Sequence, residues 1–159
     1  MSRRNLARPR SSQGGFSLIE VMVAVLILAF GLLGFALLQT TNVRFVQSAN
    51  YRTQATNLAY DLTEQMRSNR FQAAWYTGAS FAAGSKTAAT ACTSDTGDVS
   101  IEKKIARWQC QVVKALGDDA GANVTFSGGV VNVAITWGDQ RWDPDDPDKA
   151  TTFALATEL

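Results

Sequence analysis

The apolar residues of this chain change their rhythm several times along its length. In the stretch GGFSLIEVMVAVLILAFGLLGFALL, Gly14–Leu38, they run almost unbroken, with Glu20 as the only charge. At about 1.5 Å per residue, a helix over Phe16–Leu38 rises roughly 30–35 Å, enough to cross a bilayer core. From Gln39 to Asn69 the rhythm becomes that of an amphipathic helix. Val43, Val46, Tyr51, Ala55, Leu58, Leu62 and Met66 recur at three- to five-residue steps. Arg44, Arg52, Asp61, Glu64 and Arg67 fall mostly elsewhere. No breaker separates the two stretches, so the pattern predicts one long helix from Phe16 to about Asn69. Gly31 and Gly34 inside it suit close helix packing in a membrane.

Beyond that helix, Tyr76–Asp98 is rich in Ala, Thr, Ser and Gly and reads as a loop. Phe71, Trp75 and Phe81 near its start read as packing residues. Val99–Leu116 returns to helical spacing, with Ile101, Ile105, Trp108, Val112 and Leu116 in one narrow stripe. Asp98 suits its N-cap, Glu102 its first turn and Gly117 its end. Asn123–Phe126 and Val130–Trp137 flank Ser127-Gly128-Gly129, a hairpin signal. Val131, Val133, Ile135 and Trp137 alternate with more polar neighbours, and Thr151–Thr157 forms a third strand with Phe153 and Leu155 inward. The expected class is α+β: a long N-terminal helix packed on a small antiparallel sheet.

Charge divides the chain further. Its net charge is +1, but Met1–Gly15 carries Arg3, Arg4, Arg8 and Arg10 and no acid. Without those four, eleven basic residues face fourteen acidic ones. That balance argues against a nucleic-acid partner. The absence of histidine excludes His-based triads and His-ligated metals. No nucleophile–base pair, metal-ligand cluster or phosphate-binding glycine motif stands out, so the chain reads as a non-enzyme with no cofactor and no small-molecule substrate. Asp143-Pro144-Asp145-Asp146-Pro147-Asp148 is dense enough in carboxylates to suggest Ca²⁺. It lacks the EF-hand spacing and glycine, and its prolines favour an extended, solvated turn. Cys92 and Cys110 are the only cysteines. An even pair in an exported domain reads as a disulfide, worth about 3 kcal/mol in the chain-entropy model; the alternative is two buried thiols.

An ordinary secretory signal places its apolar region before the cleavage site. Here the apolar run follows the basic segment, so a cut between the two leaves the anchor on the remaining chain. The arginines hold the N-terminus in the cytoplasm by the positive-inside bias and put the remainder outside the inner membrane.

Gly15-Phe16-Ser17-Leu18-Ile19-Glu20, behind a basic leader and ahead of an apolar run, resembles the signal of type IV prepilins and type II secretion pseudopilins. The resemblance implies cleavage after Gly15 by prepilin peptidase and N-methylation of Phe16. It also implies a role for Glu20 in assembly, where its carboxylate meets the N-terminal amine of a neighbouring subunit. The physics agrees: glycine lets the backbone lie close in a protease cleft, and an acid in a low-dielectric setting offsets the cationic amine that cleavage creates. The pattern Leu58-Ala59, Asp61-Leu62, Glu64, Met66-Arg67, Asn69 is similar to the helix end of PilV-type minor pilins, and Val133-Ala134-Ile135-Thr136-Trp137 resembles one of their strands. No proline lies between Phe16 and Trp142, unlike the helix of many major pilins. The turn Gly117-Asp118-Asp119-Ala120-Gly121 also lacks the Leu-Pro-Gly of the PilV type.

The expected organisation is a cleaved leader over 1–15, a transmembrane and fibre-core helix over 16–38, its periplasmic continuation over 39–70, and a periplasmic globular domain over 71–159. The resemblance implies a minor pilin at or near the tip of a type IV pilus, with other minor pilins and the major pilin as partners. The alternative is a minor pseudopilin of type II secretion, which shares the same N-terminal signal.

Overall fold

The long apolar run does form a helix. In the computed structural model, which describes residues 14–92, 100–139 and 150–159, α1 covers Leu18–Ser68. A 3-10 helix follows over Arg70–Ala79, then α2 (Ala88–Ala91), α3 (Ile101–Leu116), β1 (Gly121–Ser127), β2 (Val130–Gly138) and β3 (Ala150–Glu158). The chain divides into two units, Met1–Val43 and Arg44–Leu159.

In the first unit Gly14–Ser17 are non-helical, and the Ser17 carbonyl accepts the N–H groups of Glu20 and Val21 to begin α1. Every residue from Gly14 to Val43 is exposed. This part of α1 is long and apolar enough to cross a membrane and buries nothing within the chain.

The second unit has its own core. Ala55, Ala59, Leu62 and Met66 of α1 are fully buried at three- and four-residue steps, one helical face. Val46 is exposed, so the packed face begins later than the hydrophobic pattern suggests; Tyr51 and Leu58 flank it half-buried. From α3 come Ile105, Trp108, Val112 and Leu116, and from β2 Val131, Val133, Ile135 and Trp137. Each large side chain so buried contributes about 1.5–3 kcal/mol.

The sheet order is β1-β2-β3, antiparallel throughout, with Val124 opposite Val133 and Val133 opposite Leu155. Gly128 and Gly129 both have positive φ (59° and 85°), as the centre of a type I′ hairpin turn requires. Phe153 and Leu155 of β3 are half-buried against the core. Leu159 is also buried, its N–H donating to the Gly129 carbonyl at 2.9 Å.

Within the stretch read as a loop, Tyr76–Ala79 belong to the 3-10 helix and Ala88–Ala91 form α2. Ala73, Tyr76 and Ala79 are buried at the three-residue period of a 3-10 helix. Phe71 and Trp75, expected as packing residues, are exposed instead, while Phe81 is half-buried and bridges to Ala122. Three residues per turn place 71 and 75 off the face shared by 73, 76 and 79. α3 begins at Ile101 with Ser100 as its cap, whose hydroxyl accepts the Lys103 N–H. Asp98, the expected cap, lies outside the described residues, as does Asp143–Asp148.

Polar contacts lock these elements. The Trp108 indole N–H donates to the Leu58 carbonyl of α1 at 2.8 Å. The Gln109 amide donates to the Gly78 and Ala79 carbonyls. Asp139, at the end of β2, is buried and accepts from the Ser48 hydroxyl of α1 at 2.7 Å. Cys92 and Cys110 form a disulfide, Cα–Cα 4.9 Å, which ties the end of α2 to α3.

Candidate processing and assembly site

Gly15 and Phe16 lie in the short non-helical segment ahead of α1. Both are exposed, and a Cβ added at Gly14 or Gly15 would meet nothing within 4 Å. Among the described residues, none covers the Gly15–Phe16 peptide bond. That bond lies ahead of α1, whose backbone ladder starts from the Ser17 carbonyl.

Glu20 occupies the first turn of α1. Unpaired N–H groups at a helix start favour an acid there, by about 0.3–1 kcal/mol at an exposed site. Its position thus has a local cause as well as the one drawn from the signal motif. It is exposed and lies five positions into the chain that cleavage at Gly15 would leave. Gly15, Phe16 and Glu20 consequently share one exposed segment of the first unit, while Cys92 and Cys110 belong to the second and are joined to each other.

From Leu18 onward the first unit presents a continuous apolar surface: Leu26, Ile27, Leu28, Phe30, Leu33 and Phe35 are each more than half exposed. Gly31 and Gly34 have open space around them, so another helix can approach the backbone closely at that level. Thr40 and Thr41 return their hydroxyls to the Ala36 and Leu37 carbonyls, satisfying these polar groups within the helix.

Among the described residues of the second unit, the Tyr76 phenol is perturbed. Burial raises the Tyr76 phenol above its ordinary 10.0, and the Asn69 amide donating to its oxygen at 3.1 Å acts the other way. Among the described residues, no group of three or more His, Cys, Asp or Glu side chains is placed to hold a metal. The arrangement offers an exposed apolar helical surface and, just ahead of it, an exposed peptide bond. Sequence reasoning does not register the exposed Phe71 and Trp75 as surface, and only the three-residue period of Ala73, Tyr76 and Ala79 points to it.

Comparison with curated proteins and with solved structures returns no match. Two family models do match. The prokaryotic N-terminal methylation motif covers residues 10–36, which include Gly15, Phe16 and Glu20. The type IV pilin Tt1218 family covers residues 37–110, from the middle of α1 to the second cysteine. A long N-terminal helix followed by a three-stranded antiparallel sheet is the α+β type IV pilin fold. The two matches support the type IV pilin superfamily for this chain.

Proposed function

We propose that the chain is a minor pilin of PilV type that helps to start a type IV pilus and stays at or near its tip. Prepilin peptidase removes residues 1–15 and methylates the new N-terminus at Phe16. The segment over 16–38 then anchors the protein in the inner membrane, N-terminus in the cytoplasm. Residues 39–70 and 71–159 lie in the periplasm, and the whole chain passes into the fibre with other minor pilins and the major pilin. Glu20 offsets the charge on a neighbour's N-terminal amine during that passage.

The observation that carries the proposal is the pairing of an exposed Gly15–Phe16 bond with an apolar helix that buries nothing of itself. Such a helix requires lipid or other helices around it. A subunit moving from membrane to fibre core has both in turn. The PilV assignment rests further on Leu58–Asn69 and Val133–Trp137, whose residues occupy the helix end and the central strand.

The test is recovery of a C-terminally tagged chain from sheared surface fibres and from inner membrane. The proposal expects it in the fibres at low stoichiometry, with fewer fibres when the gene is deleted. Confinement to the membrane, with impaired protein secretion on deletion, would replace it with a pseudopilin of type II secretion. Glu20→Ala is expected to be processed yet missing from fibres; normal incorporation would remove the role given to Glu20.

A further inference from the structure

Beyond the arginine-rich segment over 1–15, the sequence has no run of basic residues longer than the pair Lys103-Lys104, yet α3 collects four on one face. At 100° per residue, Lys103, Lys104, Arg107 and Lys114 fall within an arc of about 100° that runs from the side opposite the buried stripe of Ile105, Trp108 and Val112 round to Lys104, which flanks Trp108. They are four of the eleven basic residues beyond position 15. No carboxylate lies within salt-bridge distance of Lys104, Arg107 or Lys114 among the described residues.

This face borders two adjoining clefts against α1, of about 490 Å³ and 270 Å³. Both contain Asp61 and Gln111; the larger adds Gln54, Asn57 and Lys114, the smaller Gln65, Lys104 and Arg107. Gln65 contributes an unusual detail. Its Nε2 donates to the Asp61 carboxylate at 3.0 Å, and since a carboxylate can only accept, the amide orientation is fixed. Its Oε1 is buried with no donor among the described residues.

We propose that this groove docks an acidic, extended polypeptide segment of a neighbouring pilin subunit. The proposal rests on the reading of the chain as a fibre subunit. Charge selects the class of partner: three unpaired cations spread over Lys104–Lys114, about 15 Å of helix, match carboxylates on some five residues of extended chain at about 3.3 Å each. The amides select polypeptide over nucleic acid. Gln54, Asn57, Gln65 and Gln111 can pair with main-chain N–H and C=O groups, and Gln65 Oε1 requires a donor, which a phosphodiester backbone lacks. In the free chain the Asp61 contact holds the Gln65 amide with its oxygen buried; docking exchanges that contact for one to the partner, turning the amide of this half-exposed side chain so that its oxygen reaches the cleft. Asp61 inside the groove also disfavours a polymer with one negative charge on every unit.

The experiment uses the full chain in detergent micelles and fluorescence anisotropy at low salt. The probes are a labelled ten-residue peptide alternating Asp with Ala, its Lys/Ala counterpart and a ten-nucleotide oligothymidine. The Asp peptide is expected to bind, with affinity falling as salt rises. The combined Lys104→Glu, Arg107→Glu, Lys114→Glu variant is expected to lose at least tenfold with its melting temperature unchanged, and Gln65→Leu several-fold with no change in charge. Equal peptide affinity in wild type and the triple variant would overturn the proposal, as would tighter binding of the oligonucleotide. In cells, the triple variant is expected to be cut before Phe16 and to be missing from sheared fibres. Loss of the cut in wild type would strike the pilin reading alone; undiminished peptide binding by the triple variant would strike the groove alone.

Discussion

One helix, α1, behaves as two different objects. Over Leu18–Val43 it carries the larger side chains, including Leu26, Ile27, Leu28, Phe30 and Phe35, and buries none of them. Over Arg44–Ser68 its fully buried positions include two alanines, Ala55 and Ala59, and a threonine, Thr63, is nearly so. Along α1, therefore, hydrophobicity alone does not mark which part joins the core. The most apolar stretch is made for contacts that other molecules provide, and the more polar one packs at home. Small side chains at 55 and 59 allow neighbours close to the helix backbone, where the Trp108 indole reaches the Leu58 carbonyl.

A matched pair of substitutions would break this contrast if it were wrong. Leu62→Ala is expected to destabilise the second unit by about 2–5 kcal/mol, through lost burial and the cavity left behind. Leu28→Ala is expected to leave that unit's melting within about 0.5 kcal/mol of wild type. Thermal unfolding of the full chain in micelles, followed by near-ultraviolet dichroism of the core tryptophans, reads both. Equal effects would mean that the two parts of α1 are not distinct.

Removing the disulfide is the next largest change. The Cys92→Ala, Cys110→Ala chain should lose about 3 kcal/mol, with the loss confined to the second unit; a melting temperature equal to wild type would show that α2 is held to α3 by other means. Gly121→Ala sharpens the picture of how β1 meets the chain after the 3-10 helix. An added Cβ would lie 2.6 Å from the Ala83 nitrogen and 3.0 Å from its Cα, so backbone must shift, at about 1–3 kcal/mol. Urea denaturation of the variant measures it, and an unchanged midpoint would mean that the approach of residues 82 and 83 is easily relaxed.

Tyr76 gives the smallest effect. Because burial raises its phenol in the folded chain, the unfolded chain loses that proton first. The associated stability is complete below about pH 10 and declines as pH rises through and beyond that value. Tyr76→Phe should flatten this part of the alkaline decline, seen by comparing urea midpoints at pH 8 and pH 10.5; parallel declines would assign the loss to other groups.

The elements with strong periodicity were legible in the sequence. The stripe of α3, the alternation in β2 and the glycine pair of the hairpin each force one local structure, and all three are present. The 3-10 helix was not legible, because its buried face is Ala73, Tyr76 and Ala79, and alanine burial leaves no hydrophobic signature. For the same reason Phe71 and Trp75 pass for core residues when read by chemistry alone. Leu159 is buried by a backbone bond to the hairpin turn, a long-range pairing that no local pattern encodes. The motif around Gly15, Phe16 and Glu20 stands in the sequence and falls within the matched N-terminal methylation motif, but the exposure of the Gly15–Phe16 bond became visible only with the start of α1 at Leu18. The basic face of α3 was hidden by spacing, since Lys104, Arg107 and Lys114 are scattered in sequence and adjacent on the helix.

The most direct test of the account is the intact mass and N-terminal sequence of the chain from cells with active prepilin peptidase. The account predicts a mature protein beginning at N-methylated Phe16, with residues 1–15 gone. A chain still carrying Met1 or Ser2 at its start would contradict it and leave a simple membrane-anchored domain.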